Sequence, residues 1–71
     1  MENYLSAISE ILEVETVELG DALNSFDAWD SLAVLSIIAF CDSEYGVALS
    51  AEEIGNSETI MGLKELIEVK M

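Results

Sequence analysis

Apolar residues in this chain recur at steps of three and four, and nowhere alternate with period two over a useful length. That spacing commits the chain to helices rather than sheet. Tyr4, Leu5, Ile8, Ile11 and Leu12 make one stripe, and Ile60, Leu63, Leu66 and Ile67 another. No proline occurs in the 71 residues, so nothing forbids long helices. The expectation is one all-α domain over residues 1–71, an antiparallel bundle of three main helices plus one short one with a long first loop.

Local signals place the elements. The first helix is expected over Asn3–Glu13. Val14–Asp30 fits neither helix nor strand, and a connection this long needs a reason in so small a domain. Leu19, Leu23, Phe26 and Trp29 recur through it, so it should lie packed across the bundle. The second helix is expected from Ser31 to about Tyr45, with Asp30 as N-cap and Gly46 in the left-handed position that closes it. Steps of 100° put Val34, Ile37, Ile38, Cys41 and Tyr45 on its core face, with Leu35 and Phe40 flanking. The same steps leave Leu32, Ser36, Ala39 and Ser43 outside, and Ala33 is counted with the exposed positions. Ser50-Ala51-Glu52-Glu53 has the form of a capping box, predicting a short third helix from Ala51 to about Gly55. Asn56, Ser57 and Thr59 offer caps for a last helix ending near Val69, with Lys64 and Lys70 toward its C-terminal end. Tyr4 and Tyr45 suit the edge of the core, and Cys41 its interior.

Charge then narrows the function. Fifteen acidic residues face two lysines, a formal charge of −13. Such a surface repels phosphate backbones and anionic lipids and favours proteins with a basic patch. The longest nearly apolar stretch, Leu32–Cys41, is about half of a bilayer span. Met1-Glu2-Asn3 lacks the basic start of a secretory signal, and Cys41 has no internal disulfide partner, so a cytoplasmic monomer is expected. Without histidine or a Gly-x-Ser-x-Gly motif, a self-contained serine hydrolase is excluded. Asp21, Asp27 and Asp30 do not have calcium-loop spacing, and Leu32 stands where the closing glutamate would be. No catalytic residue and no metal site is expected, and the chain is not expected to be an enzyme.

The chemistry is concentrated in Asp30-Ser31-Leu32, where the long loop meets the second helix. A serine there is exposed, and a phosphate ester on its hydroxyl would sit among unpaired N–H groups at the positive end of the helix dipole. The Asp30 carboxylate could help hold a divalent cation while a phosphate-bearing donor is delivered. The plainer reading of Asp-Ser is an ordinary capping pair.

The stretch Phe26-Asp27-Ala28-Trp29-Asp30-Ser31-Leu32, followed by an apolar helix ending at Tyr45-Gly46, resembles the attachment region of acyl carrier proteins. The resemblance extends to Leu49, Thr59-Ile60, Leu63 and Leu66-Ile67, and so covers essentially the whole chain. It implies that a phosphopantetheinyl transferase moves 4′-phosphopantetheine from coenzyme A onto Ser31, to carry acyl cargo as thioesters. It also implies that Asp30 lies near the metal and transferase during modification, and that Leu32 contacts partner enzymes. Those partners would be acyl-loading, elongating or transferring enzymes with basic or neutral docking patches. Two departures point away from housekeeping fatty-acid synthesis. Asp27-Ala28-Trp29 lacks the glycine common before the motif, and Ala33, Ser36 and Ser43 replace acidic residues on the second helix. A specialised fatty-acid, polyketide or related pathway is therefore expected. An aminoacyl or peptidyl carrier, including the D-alanyl kind, and an unmodified acidic interaction module remain as alternatives.

Overall fold

The computed structural model describes residues 3–71. Met1 and Glu2, part of the start read above as lacking a signal, lie outside the described residues. Four helices follow one another: α1 (Tyr4–Ile11), α2 (Ser31–Tyr45), α3 (Ala51–Ser57) and α4 (Ile60–Lys70). A short 3₁₀ turn, Leu23–Ser25, interrupts the long first connection. The all-α expectation holds: among the described residues no strand forms, only an isolated bridge between Ala22 and Thr59. None of the helices is long and apolar enough to cross a membrane.

α1 is shorter than expected. Glu13 takes a left-handed conformation (φ 60°), its N–H donates to the Glu10 carbonyl (3.2 Å), and that of Val14 to Ser9 (3.0 Å). This paired closure needs no glycine. Tyr4, Ile8 and Leu12 bury the inner face, whereas Leu5 is exposed. Tyr4 is no edge residue: it is 1% exposed, and its hydroxyl donates to the Ile60 carbonyl at 2.7 Å, tying α1 to α4.

α2 carries apolar residues all round; the expected core face of Val34, Ile37, Ile38, Cys41 and Tyr45 does pack inward, but Ala33 belongs to it as well. Ala33, Ile37 and Cys41 form the buried line, with Val34, Ile38, Phe40 and Tyr45 half-buried beside it. Ala33, expected outside, is 5% exposed, while Leu35 is 59% exposed. Its small side chain lets Ala33 sit where the helix start closes on the core. Phe40 and Tyr45 meet edge to face, with centroids 5.4 Å apart. Gly46 closes the helix at φ 65°, a conformation that would strain most other residues.

The capping box of α3 is complete: the Ser50 hydroxyl accepts from the Glu53 N–H, and Glu53 Oε1 from the Ser50 N–H, both at 3.1 Å. The helix passes through Gly55 and stops at Glu58, whose φ of 66° and ψ of −46°, with a Thr59 N–H to Ser57 carbonyl bond of 2.7 Å, make a γ-turn. The helix thus runs two residues past the end expected near Gly55. Beyond that corner α4 passes so close to the Ser57 carbonyl that a Cβ at position 62 would overlap it, which accounts for Gly62.

The long connection has its reason in α4. The first N–H groups of a helix have no partner within it. Here the Asp21 carbonyl accepts from Ile60 (3.0 Å), the Leu19 carbonyl from Met61 (2.8 Å) and the Thr59 hydroxyl from Gly62 (3.0 Å). In return Leu23 donates to the Glu58 carbonyl (2.9 Å). Val17 and Leu23 are buried beneath, so the connection is packed across the bundle as its apolar residues required.

Candidate functional site

The connection delivers the chain to α2 in a defined way. A turn closed by the Trp29 N–H on the Phe26 carbonyl (3.0 Å) leads into Asp30, which is extended at φ −148°. Asp30 Oδ1 accepts from the Ala33 N–H at 2.9 Å, and its carbonyl from the Val34 N–H at 3.1 Å. The capping role read from the sequence is thus present.

Ser31 is the first residue of α2 and is exposed. Among the described residues no group accepts from the N–H of Ser31 or Leu32. This is the opposite of α4, whose first-turn donors are all taken. The Ser31 hydroxyl therefore stands beside two open donors at the positive end of a 15-residue helix. An anionic group joined to it would be held by those donors and that dipole. Leu32 is 70% exposed, and Asp30 is exposed as well, so the three residues singled out in the sequence share one accessible corner. Half-buried Trp29, just before them, lines a cleft of about 360 Å³ with Leu23, Glu58 and Thr59.

Other reactive groups lie away from this corner. Cys41 has no exposure, and burial pushes its thiol up to about 11. Burial likewise raises the Tyr4 hydroxyl far above its ordinary value, helped by nearby Cys41 and Tyr45. Both lysines lie in α4 and face carboxylates, Lys64 with Glu68 at 3.4 Å and Lys70 with Glu53 of α3 at 2.9 Å. Hydrogen bonds from Lys70 and the Ser50 N–H hold the Glu53 carboxyl below its usual value. Among the described residues no three or more His, Cys, Asp or Glu side chains are grouped so as to hold a metal ion.

Sequence reasoning missed Leu35 as an outward residue of this corner, although the signal was present. It lies four residues after Ser31, directly one turn further along the same face. Compared with known proteins, the chain matches no family model, no curated protein and no solved structure.

Proposed function

We propose that this chain is a carrier protein of the acyl-carrier type, with 4′-phosphopantetheine joined through its phosphate to Ser31. The observation that carries this reading is the exposed Ser31 hydroxyl at the start of α2, behind the Asp30 cap and beside two open N–H groups. That group supplies a thiol on a flexible arm, to which acyl or aminoacyl cargo is joined as a thioester.

The chain's own residues then have distinct parts. Ser31 Oγ would be the point of attachment, and the open N–H groups of Ser31 and Leu32 would hold the phosphate. Asp30 fixes the helix start and faces the metal-bearing donor during transfer. Leu32 meets the enzymes that load and unload the carrier. No catalysis by the chain itself is needed. A monomer in the cytoplasm, visited by a phosphopantetheinyl transferase and then by successive enzymes, fits this role. Tethering raises the local concentration of cargo at each of them.

The exposed stripe of Leu32, Ser36, Ala39 and Ser43 bears no carboxylate, which favours a specialised acyl, polyketide or aminoacyl pathway over housekeeping fatty-acid synthesis. Incubation with coenzyme A and a broad-specificity phosphopantetheinyl transferase, followed by intact mass and peptide mapping, tests the proposal. One added arm on Ser31 is expected, with none on Ser31→Ala. That variant should keep its stability to within about 0.5 kcal/mol, because an exposed first-turn hydroxyl supports no packing. Unchanged mass in the wild type, or modification persisting in the variant, would overturn it and leave the acidic interaction module as the reading.

A further inference from the structure

The left-handed turn at Glu13 does more than end α1. With the Val14 N–H on the Ser9 carbonyl at 3.0 Å, it folds the chain back so that the next residues lie beside the helix they leave. A groove of about 350 Å³ runs between the two, lined by Leu5, Ser6 and Ser9 of α1 and by Glu15, Thr16 and Val17. It shares no residue with the Ser31 corner or with the cleft beside Trp29. Val17 is buried at its floor, while Leu5 is 37% exposed although Tyr4, Ile8 and Leu12 beside it are buried.

Two independent features of this groove point to its occupant. Among the described residues, the backbone N–H and C=O groups of Glu15, Thr16 and Val17 make no hydrogen bond. Successive residues with open donors and acceptors act like the edge of a sheet, ready to pair with another extended chain. The second feature is charge. Glu10, one turn after Ser6, borders the groove together with Glu15 and Glu18, all exposed. No Lys or Arg precedes Lys64, and the two lysines are held by Glu68 and Glu53. The carboxylates of the groove therefore carry their charge uncompensated, which attracts a basic chain and repels a second copy of this acidic one.

We propose that this groove docks an extended, basic peptide segment of another protein. An apolar side chain of the segment lies against Leu5 and Val17, its backbone pairs with Thr16 and the residues on either side, and its Lys or Arg side chains meet Glu10, Glu15 and Glu18. A segment in which apolar and basic residues alternate suits the site, because its apolar side chains enter the groove while the basic ones reach the rim. Docking there leaves the Ser31 hydroxyl open and does not depend on what that hydroxyl carries.

The probe is a blocked peptide of about six residues in which lysine alternates with valine, with a glutamate-for-lysine peptide as control. Each is titrated into the isotope-labelled full chain and followed by amide NMR shifts. The lysine peptide should bind saturably below about 1 mM, with shifts centred on residues 5–9 and 14–18 and slower hydrogen exchange at the Thr16 and Val17 amides. The glutamate peptide should not bind. Glu15→Lys with Glu18→Lys should weaken the lysine peptide at least about tenfold, and Leu5→Gln about fivefold. All three positions are exposed, so the helical content of these variants should match wild type and a lost fold is not mistaken for lost binding. Ser31→Ala should bind as wild type does. Absence of saturation overturns the proposal, as does binding lost in Ser31→Ala. So do shifts spread over the whole acidic surface and unmoved by the variants, the mark of unspecific attraction between opposite charges. Groove shifts that follow protein concentration without any peptide would place a second copy there and overturn it equally.

Discussion

Asp30 offers the cleanest separation of structure from chemistry at the helix start. Its Oδ1 accepts from the Ala33 N–H at 2.9 Å, with Ala33 buried against the core. Asp30→Ala removes that acceptor and leaves a third open donor in the first turn of α2. Loss of such a cap costs about 0.5–2 kcal/mol. Removing one carboxylate also reduces the −13 charge and its self-repulsion, which offsets part of the loss. The balance should be a destabilisation of about 1 kcal/mol, or a fall in Tm of about 4–8 °C for a domain of this size. Asp30→Asn keeps an oxygen in the same place and caps nearly as well, so it should stay within about 0.5 kcal/mol of wild type. Urea unfolding followed by far-ultraviolet circular dichroism gives both numbers, with an unchanged m-value showing that the unfolded state is unaffected. Wild-type stability in Asp30→Ala, or equal losses in both variants, would refute the cap as the source of Asp30's contribution. On the carrier reading, Asp30→Asn should still slow arm transfer, because the negative charge that faces the metal-bearing donor is gone.

Two further outcomes follow from buried and paired groups. Tyr4→Phe should cost about 0.5–1.5 kcal/mol by urea unfolding, since the Ile60 carbonyl loses its tyrosine donor but remains an acceptor within α4. Tyr4's folded-state value is raised, so its contribution is complete below its unfolded value of about 10 and falls as pH rises beyond it. Alkaline unfolding should accordingly begin at higher pH in Tyr4→Phe, and coincident curves would contradict this. Glu53 is the reverse case, with a lowered folded-state value. Its contribution is present above about pH 4.3 and is lost as pH falls through the folded value. The stability gap between wild type and Glu53→Gln at pH 7 should therefore close in acid, and a gap that persists at pH 2 would count against the Lys70 pair.

The caps of this fold were legible because capping is local chemistry. Asp30, Thr59 and the Ser50–Glu53 pair act within three residues, and Gly46 acts through its own φ. Ser31, Asp30 and Leu32 were legible for the same reason, since each lies at the junction that the cap defines. The face of α2 was legible only in part, since Ile37 and Cys41 were placed inward and Ala33 was not. Apolar residues occur all round it, so period alone could not choose between Ala33 and Val34 for the core line, or show that Leu35 points outward. The positive φ angles of Glu13 and Glu58 were equally hidden, because surrounding structure, not residue type, holds them there. Nor could the sequence show that the carbonyls of Leu19 and Asp21 cap α4, because a backbone carbonyl has no side-chain identity.

Those carbonyls bear on how the chain reaches this structure. The bonds from Ile60 and Met61 to the first connection, with the Tyr4 hydroxyl on Ile60, join segments far apart in sequence. Before α4 exists, the connection has no donors to satisfy and α1 has no carbonyl for its buried tyrosine. Before the connection is in place, the first turn of α4 lacks acceptors. Neither half can complete itself first, so no stable half-structure precedes the whole, and folding should be a single all-or-none event.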